Sequence, residues 1–523
     1  MEQSNLDRRE DYALRYVPQS FRLWHWSSIF NVLIGVSTAM FFLSWGSELT
    51  LKYGTIPTIW GMVFGVVFIG SVGFFFSWIG SKTGLDSDLI TRGSGYGFMG
   101  SAIASIIYSF NYVMFFAFEG SILVGALHTT LPHISSLVWE IIIGIGFIIL
   151  ATWGMKFLNW LMWITLPIYL IAVAIVWYHA SHVPRPIPWL SYHPSTAAST
   201  TAGPVLLQLA ATVFALISMG TQGADLGRFV RSKDRTIGSF FNGYVVMIIT
   251  FLGVVLLGSY FGLELHQSNP GIYFTSILGT GGVLIVLITQ VRINSINVYS
   301  GSLAYANFFS RVFHFTPGRQ WWGILTAIFG TILMMGNIFA HMLQILTFEG
   351  VFIIAWAMSV ISDTLFNKWL LKLSPAGYEY KRAFLPQFNI VGIGSLIIAL
   401  IISVPLAFGA AGPKGQTFAP FVSATLGLFL PPIIAMISRG SSYRIQSTAQ
   451  LEPGHMSLLP CSKCSDQFES TDMVECPFHQ ATLCSVCCAS EGHCHDMCKD
   501  EPRQLNNSSQ SSNSPNTVSP IEK

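Results

Sequence analysis

Asn31-Val-Leu-Ile-Gly35-Val-Ser37-Thr38 sits in the middle of the first long apolar run of the chain, and Ser218-Met-Gly220-Thr221-Gln222-Gly223 in the middle of the sixth. Each sets glycine beside hydroxyl or amide side chains at membrane depth. Backbone groups in hydrocarbon must be hydrogen-bonded internally, so a helix interruption there persists only where it lines a cavity or is buried in protein. The two runs are five apart in order, and interrupted segments at matching positions of two halves predict an inverted repeat with a binding site at the midplane. For either segment alone, glycine used for close helix packing is the competing reading.

Composition fits that frame. Of 523 residues, 52% are hydrophobic, 14% aromatic and only 10% charged, against about 25% charged in soluble domains. Too few charges are present to cover a water-soluble surface. Runs long enough to cross roughly 30 Å of hydrocarbon, about 20 helical residues, recur twelve times. Their spans are 25–46, 57–79, 98–127, 136–154, 157–178, 203–224, 239–262, 271–300, 320–335, 341–363, 387–409 and 417–437. The polar residues 1–20, with Arg8, Arg9 and Arg15, do not resemble a cleaved signal peptide, so span one is expected in the mature protein.

Lys and Arg near helix ends are retained on the cytoplasmic side. Alternate loops counted from the N-terminus hold Lys82, Arg92, Lys156, Arg228, Arg231 and further basic residues up to Arg444, whereas the others hold only Lys52, Arg185 and Lys414. This asymmetry predicts an even number of spans in the cell membrane with both termini cytoplasmic. Residues 1–20 are thus expected as a cytoplasmic tail and 21–445 as a twelve-helix, all-α polytopic membrane domain. A linker follows at 446–460, a Cys/His-rich module at 461–500 and a disordered end at 501–523, rich in Ser, Asn and Pro. Asn506 and Asn507 match glycosylation sequons, which a cytoplasmic tail would never present to the transferase.

Charged residues inside spans are functional candidates by default. Glu119 lies within span three and Arg292 within span eight, so they are expected to pair with each other or with a ligand. Asp225 and Asp363 end spans six and ten, where a transport role competes with pairing to Arg228 and Lys368. A carboxylate able to take up a proton is a candidate coupling site.

The order and spacing of several motifs resemble the nucleobase-cation symporters, the purine-cytosine permease family, over roughly residues 12 to 445. They are Gly80-Ser-Lys-Thr-Gly84-Leu85 with Arg92 and Gly95-Tyr-Gly97-Phe-Met-Gly100, Asp225-Leu-Gly-Arg228-Phe229-Val-Arg231, Asn294-Ser-Ile-Asn297-Val-Tyr299-Ser300, and Ile361-Ser-Asp363. The resemblance implies a LeuT-type five-plus-five bundle with two extra helices, moving a flat heterocycle by alternating access. Phe115-Phe116-Ala-Phe118-Glu119-Gly120 falls where that family has Trp-Phe-Gly-x-Gln, which implies Phe115 as an aromatic platform and Glu119 as reader of the ring edge. An aromatic face suits any planar base, and a carboxylate accepts from ring N–H or amino donors.

Two departures carry weight. At the position of the family's span-six aromatic the chain has Phe214-Ala215-Leu216, so the sandwich is either one-sided or completed by Phe214. Where sodium-coupled relatives place a Ser/Thr pair, the chain has Val291-Arg292-Ile293, and a guanidinium cannot coordinate sodium. No sodium is expected there, and the implied carrier is proton-coupled, uncoupled or a binder that no longer transports. The expected binding set is Gly35, Ser37, Phe115, Glu119, Phe214, Gly220, Gln222, Asn294 and Asn297, with Glu119, Arg292 and Asp225 as coupling residues.

All eight cysteines lie after this domain, as Cys461-x-x-Cys464, Cys476-x-x-His479, Cys484-x-x-Cys487-Cys488 and Cys494-His495-x-x-Cys498. Ligand pairs at this separation suit tetrahedral zinc, and four pairs supply two ions. Alternation predicts a cross-brace, the first and third pairs on one ion and the second and fourth on the other, with Cys488, His493 and one of Cys494 and His495 as spares. Disulfides are disfavoured on a reducing side; a redox sensor or an iron-sulfur cluster is the remaining alternative. The leading function is uptake of a nucleobase or related heterocycle such as cytosine, a purine, uracil or allantoin, with no catalytic residues and no nucleic-acid partner. The other is a transporter-like solute sensor that signals through the zinc module to a cytoplasmic protein.

Overall fold

The computed structural model describes residues 12–149, 155–184, 187–194, 202–445, 447–451 and 458–499. Arg8, Arg9, Arg185, the two sequons and the end at 501–523 lie outside them.

Among the described residues nine helices are long and apolar enough to cross a membrane, and a bent pair makes a tenth. The pair is α1 (Trp26–Ser37) and α2 (Met40–Tyr53), set at 47° to each other across Thr38 and Ala39. Next come α3 (Thr55–Thr83), α4 (Ser101–Thr130), α5 (Ser136–Ile148) and α6 (Met155–Ser181). Span six is α7 (Val205–Phe214) followed by α8 (Ile217–Gly227), and span seven is α9 (Ser232–Glu264). The second half continues with α10 (Pro270–Leu278), α11 (Thr280–Val312), α12 (Arg319–Met335) and α13 (Met342–Ser362); α14 (Ile390–Ala407) and α15 (Gly412–Ile437) are the added two. Of the other two expected spans, α5 is a shorter apolar helix, and α12, 17 residues long, does not reach the length and hydropathy of a crossing helix, so among the described residues the count is nine or ten rather than twelve.

Packing follows the repeat. Helix α2 of span one lies against α9 of span seven, α8 of span six lies against α3 of span two, and α4 of span three lies against α11 of span eight. Advancing each partner by five exchanges the first two pairings and returns the third to itself, as a pseudo-twofold requires.

Three expected boundaries are corrected. Residues 271–278 are not the start of span eight but a separate short helix, closed at Gly279 with φ +59, a conformation that glycine adopts without steric cost. In span six the interruption falls at Ala215-Leu216 rather than at 218–223, which is regular helix in α8. In span one the helix continues through Gly35 and Ser37 and stops at Thr38.

Residues 458–499 form two small antiparallel hairpins, Leu458–Pro460 (β1) with Gln467–Glu469 (β2) and Met473–Cys476 (β3) with Ala481–Cys484 (β4), followed by α16, Ser485–Ala489. The stretch read as linker partly belongs to this module. It contributes β1, and Thr448 N–H donates to the Cys498 carbonyl at 3.0 Å while Glu475 N–H donates to the Ala449 carbonyl at 3.1 Å. Residues 12–17 are buried rather than a solvated tail.

Candidate functional site

The break between α1 and α2 leaves carbonyls at the end of one half-helix and N–H groups at the start of the next without helical partners. Thr38 starts the interruption, its Oγ1 donating back to the Ile34 carbonyl at 2.9 Å. The exposed ends are met by the two deep charges. Arg292 Nη2 donates to the Thr38 carbonyl at 2.9 Å, and Glu119 Oε1 accepts from Phe41 N–H at 3.3 Å. A cation therefore sits at a helix C-terminus and an anion at a helix N-terminus, the favourable sense for both dipoles. The arginine is fully buried, with its Cζ 5.1 Å from the centroid of the Tyr169 ring. Among the described residues the two charges share no hydrogen bond; each serves a half-helix end.

Beside this junction lies a cavity of about 30 Å³, room for roughly one water molecule. Val36, Ala39 and Phe41 border it from the break, Phe115 and Glu119 from α4, Ser218 and Gln222 from α8, and Asn297 from α11. Phe41 meets Phe115 edge-on at 5.1 Å and stacks on Phe118 at 5.5 Å. Gln222 Nε2 donates to Ser300 Oγ at 3.2 Å, and Asn297 Nδ2 to Asn294 Oδ1 at 3.0 Å.

Four of the nine expected binding residues, Phe115, Glu119, Gln222 and Asn297, thus border one cavity, with Asn294 directly behind Asn297. The other four do not line it. A Cβ at Gly35 would meet Met162 Sδ at 2.0 Å and one at Gly220 would meet Val72 Cγ1 at 2.8 Å, so both glycines serve close packing. Ser37 is buried, and Phe214 packs among Phe64, Phe68 and Phe421. Asn111 and Tyr112, which the sequence reading did not select, also line the cavity.

A polar chain leads from the cavity toward the face that carries the module. Tyr112 donates to Tyr108 at 2.7 Å, and Tyr108 donates to Asp225 Oδ2 at 2.8 Å. Asp225 Oδ1 accepts from Ser87 N–H at 2.9 Å. The expected partner of Asp225, Arg228, is instead paired with Asp86 at 3.1 Å and donates to the Tyr12 carbonyl at 2.7 Å. Asp363 does face Lys368, at 3.6 Å. Arg92 donates to Asn307 at 2.7 Å and to the Tyr380 carbonyl at 3.1 Å, tying the loop after α3 to α11 and to the loop before α14.

In the module the sulfurs of Cys461, Cys464, Cys484 and Cys487 converge, all within 4.8 Å of one another. Four thiolates at that spacing fit tetrahedral zinc with Zn–S bonds of about 2.3 Å. Cys484 N–H donates to Cys461 Sγ at 3.3 Å and Cys487 N–H to Cys484 Sγ at 3.4 Å. Crowding splits the thiols: hydrogen bonds from Cys464 and Cys484 draw Cys461 down, while sharing with Cys461 pushes Cys484 up. Of the second expected set, Cys476 Sγ lies 3.5 Å from His479 Nδ1, and Cys476, Cys488, Cys494 and Cys498 border one small cavity. His495 is exposed. Among the described residues one group of ligands, not two, is gathered for a metal.

The module is bound to the membrane domain by buried polar contacts. Asp472, fully buried, pairs with Arg15 at 2.8 Å and accepts from Tyr380 and from Ser485, the latter at 2.7 Å. The Arg15 guanidinium also lies 4.6 Å from the Phe468 ring centroid. Arg382 pairs with Asp496 at 2.8 Å and donates to the Glu491 carbonyl, and Tyr16 donates to Glu469. Lys463 beside Glu491 holds that carboxyl down to about 2.

No family model matches the sequence, and no curated protein does. Solved structures match over most of the chain. Mhp1, described as a nucleobase-cation-symport-1 family transporter and solved closed with bromovinylhydantoin bound, aligns at TM-score 0.60 and 16% identity, covering 84% of this chain and 100% of its own. An inward-facing conformation of Mhp1 aligns at 0.61 and 15%, covering 82% and 96%. A substrate-bound, outward-open Na+-coupled sialic acid symporter aligns at 0.59 and 13%, covering 82% and 92%. With the paired breaks and exchanged packing above, these likenesses assign the membrane domain: it has the LeuT-type inverted-repeat fold of Mhp1, extended here by a cysteine-rich module.

Proposed function

We propose that the protein is a secondary transporter of the nucleobase-cation symporter family that takes up a nucleobase or related nitrogen heterocycle by alternating access. Both termini and the module lie on the cytoplasmic side of the cell membrane. The observation that carries this reading is the junction at Thr38 to Phe41, where a broken helix, an aromatic pair and a buried carboxylate surround one cavity. Phe115 is the platform, Glu119 accepts from N–H donors at the ring edge, and Gln222 and Asn297 complete the polar rim. At about 30 Å³ the cavity does not hold a heterocycle, so loading requires the half-helices to move apart.

Arg292 supports coupling by protons rather than sodium. Its guanidinium occupies the carbonyl end of α1 with a charge that cannot dissociate. Purified full-length protein, tested by thermal shift and by counterflow in proteoliposomes against cytosine, uracil, allantoin and hypoxanthine, is expected to bind and exchange at least one of them equally well with and without sodium. Silence across a broad heterocycle panel in both assays would remove the transport reading, and strong sodium enhancement would remove the role given to Arg292.

A second reading is a solute sensor whose output passes through the module to a cytoplasmic protein. It is favoured by the seat of the module on Arg15 and Tyr16, just before α1, and on the loop before α14. Cys461, Cys464, Cys484 and Cys487 would hold one zinc, and Cys476, His479, Cys494 and Cys498 a second. Zinc supplies the cross-link that a module with so small a core lacks. Deleting residues 446–523 would leave transport intact under the first reading and abolish output under the second.

A further inference from the structure

Glu349 lies in α13, in the apolar stretch Leu346-Thr-Phe-Glu349-Gly350. It is 2% exposed. Its Oε1 accepts from Asn111 Nδ2 at 2.8 Å, and its Oε2 has no partner among the described residues. Among the described residues, helices α7, α8, α14 and α15 and the segments 92–96, 338–341 and 363–370, all packed against α13, bring no charge to bear on Glu349, their Arg92, Tyr96, His341, Asp363 and Lys368 included; α4 brings only Asn111. The neighbouring Gly350 is packed on Ala215, so close that an added Cβ would approach the Ala215 backbone to 3.1 Å. Glu349 is therefore fixed beside the interruption between α7 and α8.

The contrast with Glu119 is informative. Glu119 accepts a backbone N–H at a helix start and lies near Arg292. Among the described residues Glu349 has one neutral amide and no cation beside it. An uncompensated charge at membrane depth is costly, whereas a carboxyl that gains and loses a proton there does work when helices move.

Asn111 connects this group to the cavity, which it lines. As the structure stands, its Nδ2 serves Glu349 and its Oδ1 has no partner among the described residues. A protonated Glu349 has an O–H to donate, which the Asn111 carbonyl accepts once the amide turns over; Nδ2 is then free. Resting on the transport reading, we propose that Glu349 is the proton-binding residue of this protein, and that the Asn111 amide converts its protonation into a choice between acceptor and donor offered to the cavity. The proton is taken from water on one side, held on the carboxyl oxygen, and returned to water on the other. By linkage, an occupant that needs a donor at Asn111 raises proton affinity, and a proton raises affinity for that occupant.

Infrared spectroscopy of the full-length protein in lipid nanodiscs, titrated from acid to alkaline pH in H2O and D2O, tests this without a known substrate. The expected result is a titrating carboxylic C=O band that is lost in Glu349→Gln and retained in Glu119→Gln. Asn111→Ala should shift the band by removing its hydrogen-bond partner while leaving the carboxyl in place, which covers the case that Glu349→Gln fails to fold. A spectrum with no titrating band sensitive to position 349, or with a band indifferent to Asn111→Ala, overturns the assignment. Counterflow of cytosine, uracil, allantoin and hypoxanthine, run on the same samples, separates this from the transport reading: a titrating band without flux removes the carrier and leaves the proton site, whereas flux with its pH dependence abolished in Glu349→Gln supports both.

Discussion

Arg292 is held by one hydrogen bond and by Tyr169, while its Nε and Nη1 have no partner among the described residues. Replacing it by alanine removes the donor to Thr38 and leaves a helix end bare. A buried hydrogen bond to a charged group contributes about 1.5–3 kcal/mol, so Arg292→Ala is expected to destabilise by that amount, read as a lower thermal midpoint. Arg292→Ser is expected to recover part of the loss only in sodium, because a hydroxyl beside the freed carbonyl can share a bound cation. Glu119→Gln should weaken the best-binding heterocycle by about tenfold, roughly 1.4 kcal/mol, measured by thermal shift. The charges themselves were legible: Glu119 and Arg292 stand out in apolar runs. Their partners were not, because a half-helix end is made by tertiary structure and leaves no spacing in the sequence. Glu349 was equally visible as a lone carboxylate in a span and escaped notice only because no motif surrounds it.

At the level of elements, glycine misled where it was most conspicuous. Gly220 and Gly223 lie inside regular helix, where they let α8 approach α3; a Cβ at Gly223 would come 2.9 Å from the Gly73 carbonyl oxygen. Gly223→Leu is therefore expected to force the two helices apart at a cost of about 1–3 kcal/mol, seen as loss of monodisperse protein or a lower melting temperature. Interruption and close approach draw on the same residue, so composition alone could not separate them. The true break, Ala215-Leu216, contains neither glycine nor proline and lies where Gly350 packs against Ala215. The twelve spans expected compare with nine or ten among the described residues, but the order of the long spans could be read, since it depends on length and hydropathy. The start of span eight could not, because α10 is apolar enough to merge with α11.

The whole molecule is joined at Asp472, where the segment before α1, the loop before α14 and the module meet. Removing one partner of a buried ion pair costs about 3–5 kcal/mol. Asp472→Ala should remove the contacts of Arg15, Tyr380 and Ser485 with this carboxylate and accelerate amide hydrogen exchange over residues 12–17 while leaving the helices of the bundle protected. With zinc bound as proposed, chelation should act on the same region: stripping the metal is expected to unfold residues 458–499 and to expose residues 12–17, and Cys461→Ser should lower bound zinc by one ion per chain, measured by a chromophoric assay after denaturation. The clustering of cysteines after the last span was plain in the sequence. That their module would be sewn to the N-terminus was not, for ion pairs between regions so far apart follow no local pattern.

Tyr16 and Glu469 touch across 453 positions of sequence. Until residues 458–499 have left the ribosome, Asp472 and Glu469, which receive Arg15, Tyr380 and Tyr16, are absent, so these contacts form late in the chain's synthesis. Docking of the module is thus a late event in the folding of this part of the chain, and, with zinc held at Cys461, Cys464, Cys484 and Cys487 as proposed, it would wait on metal supply as well as on synthesis.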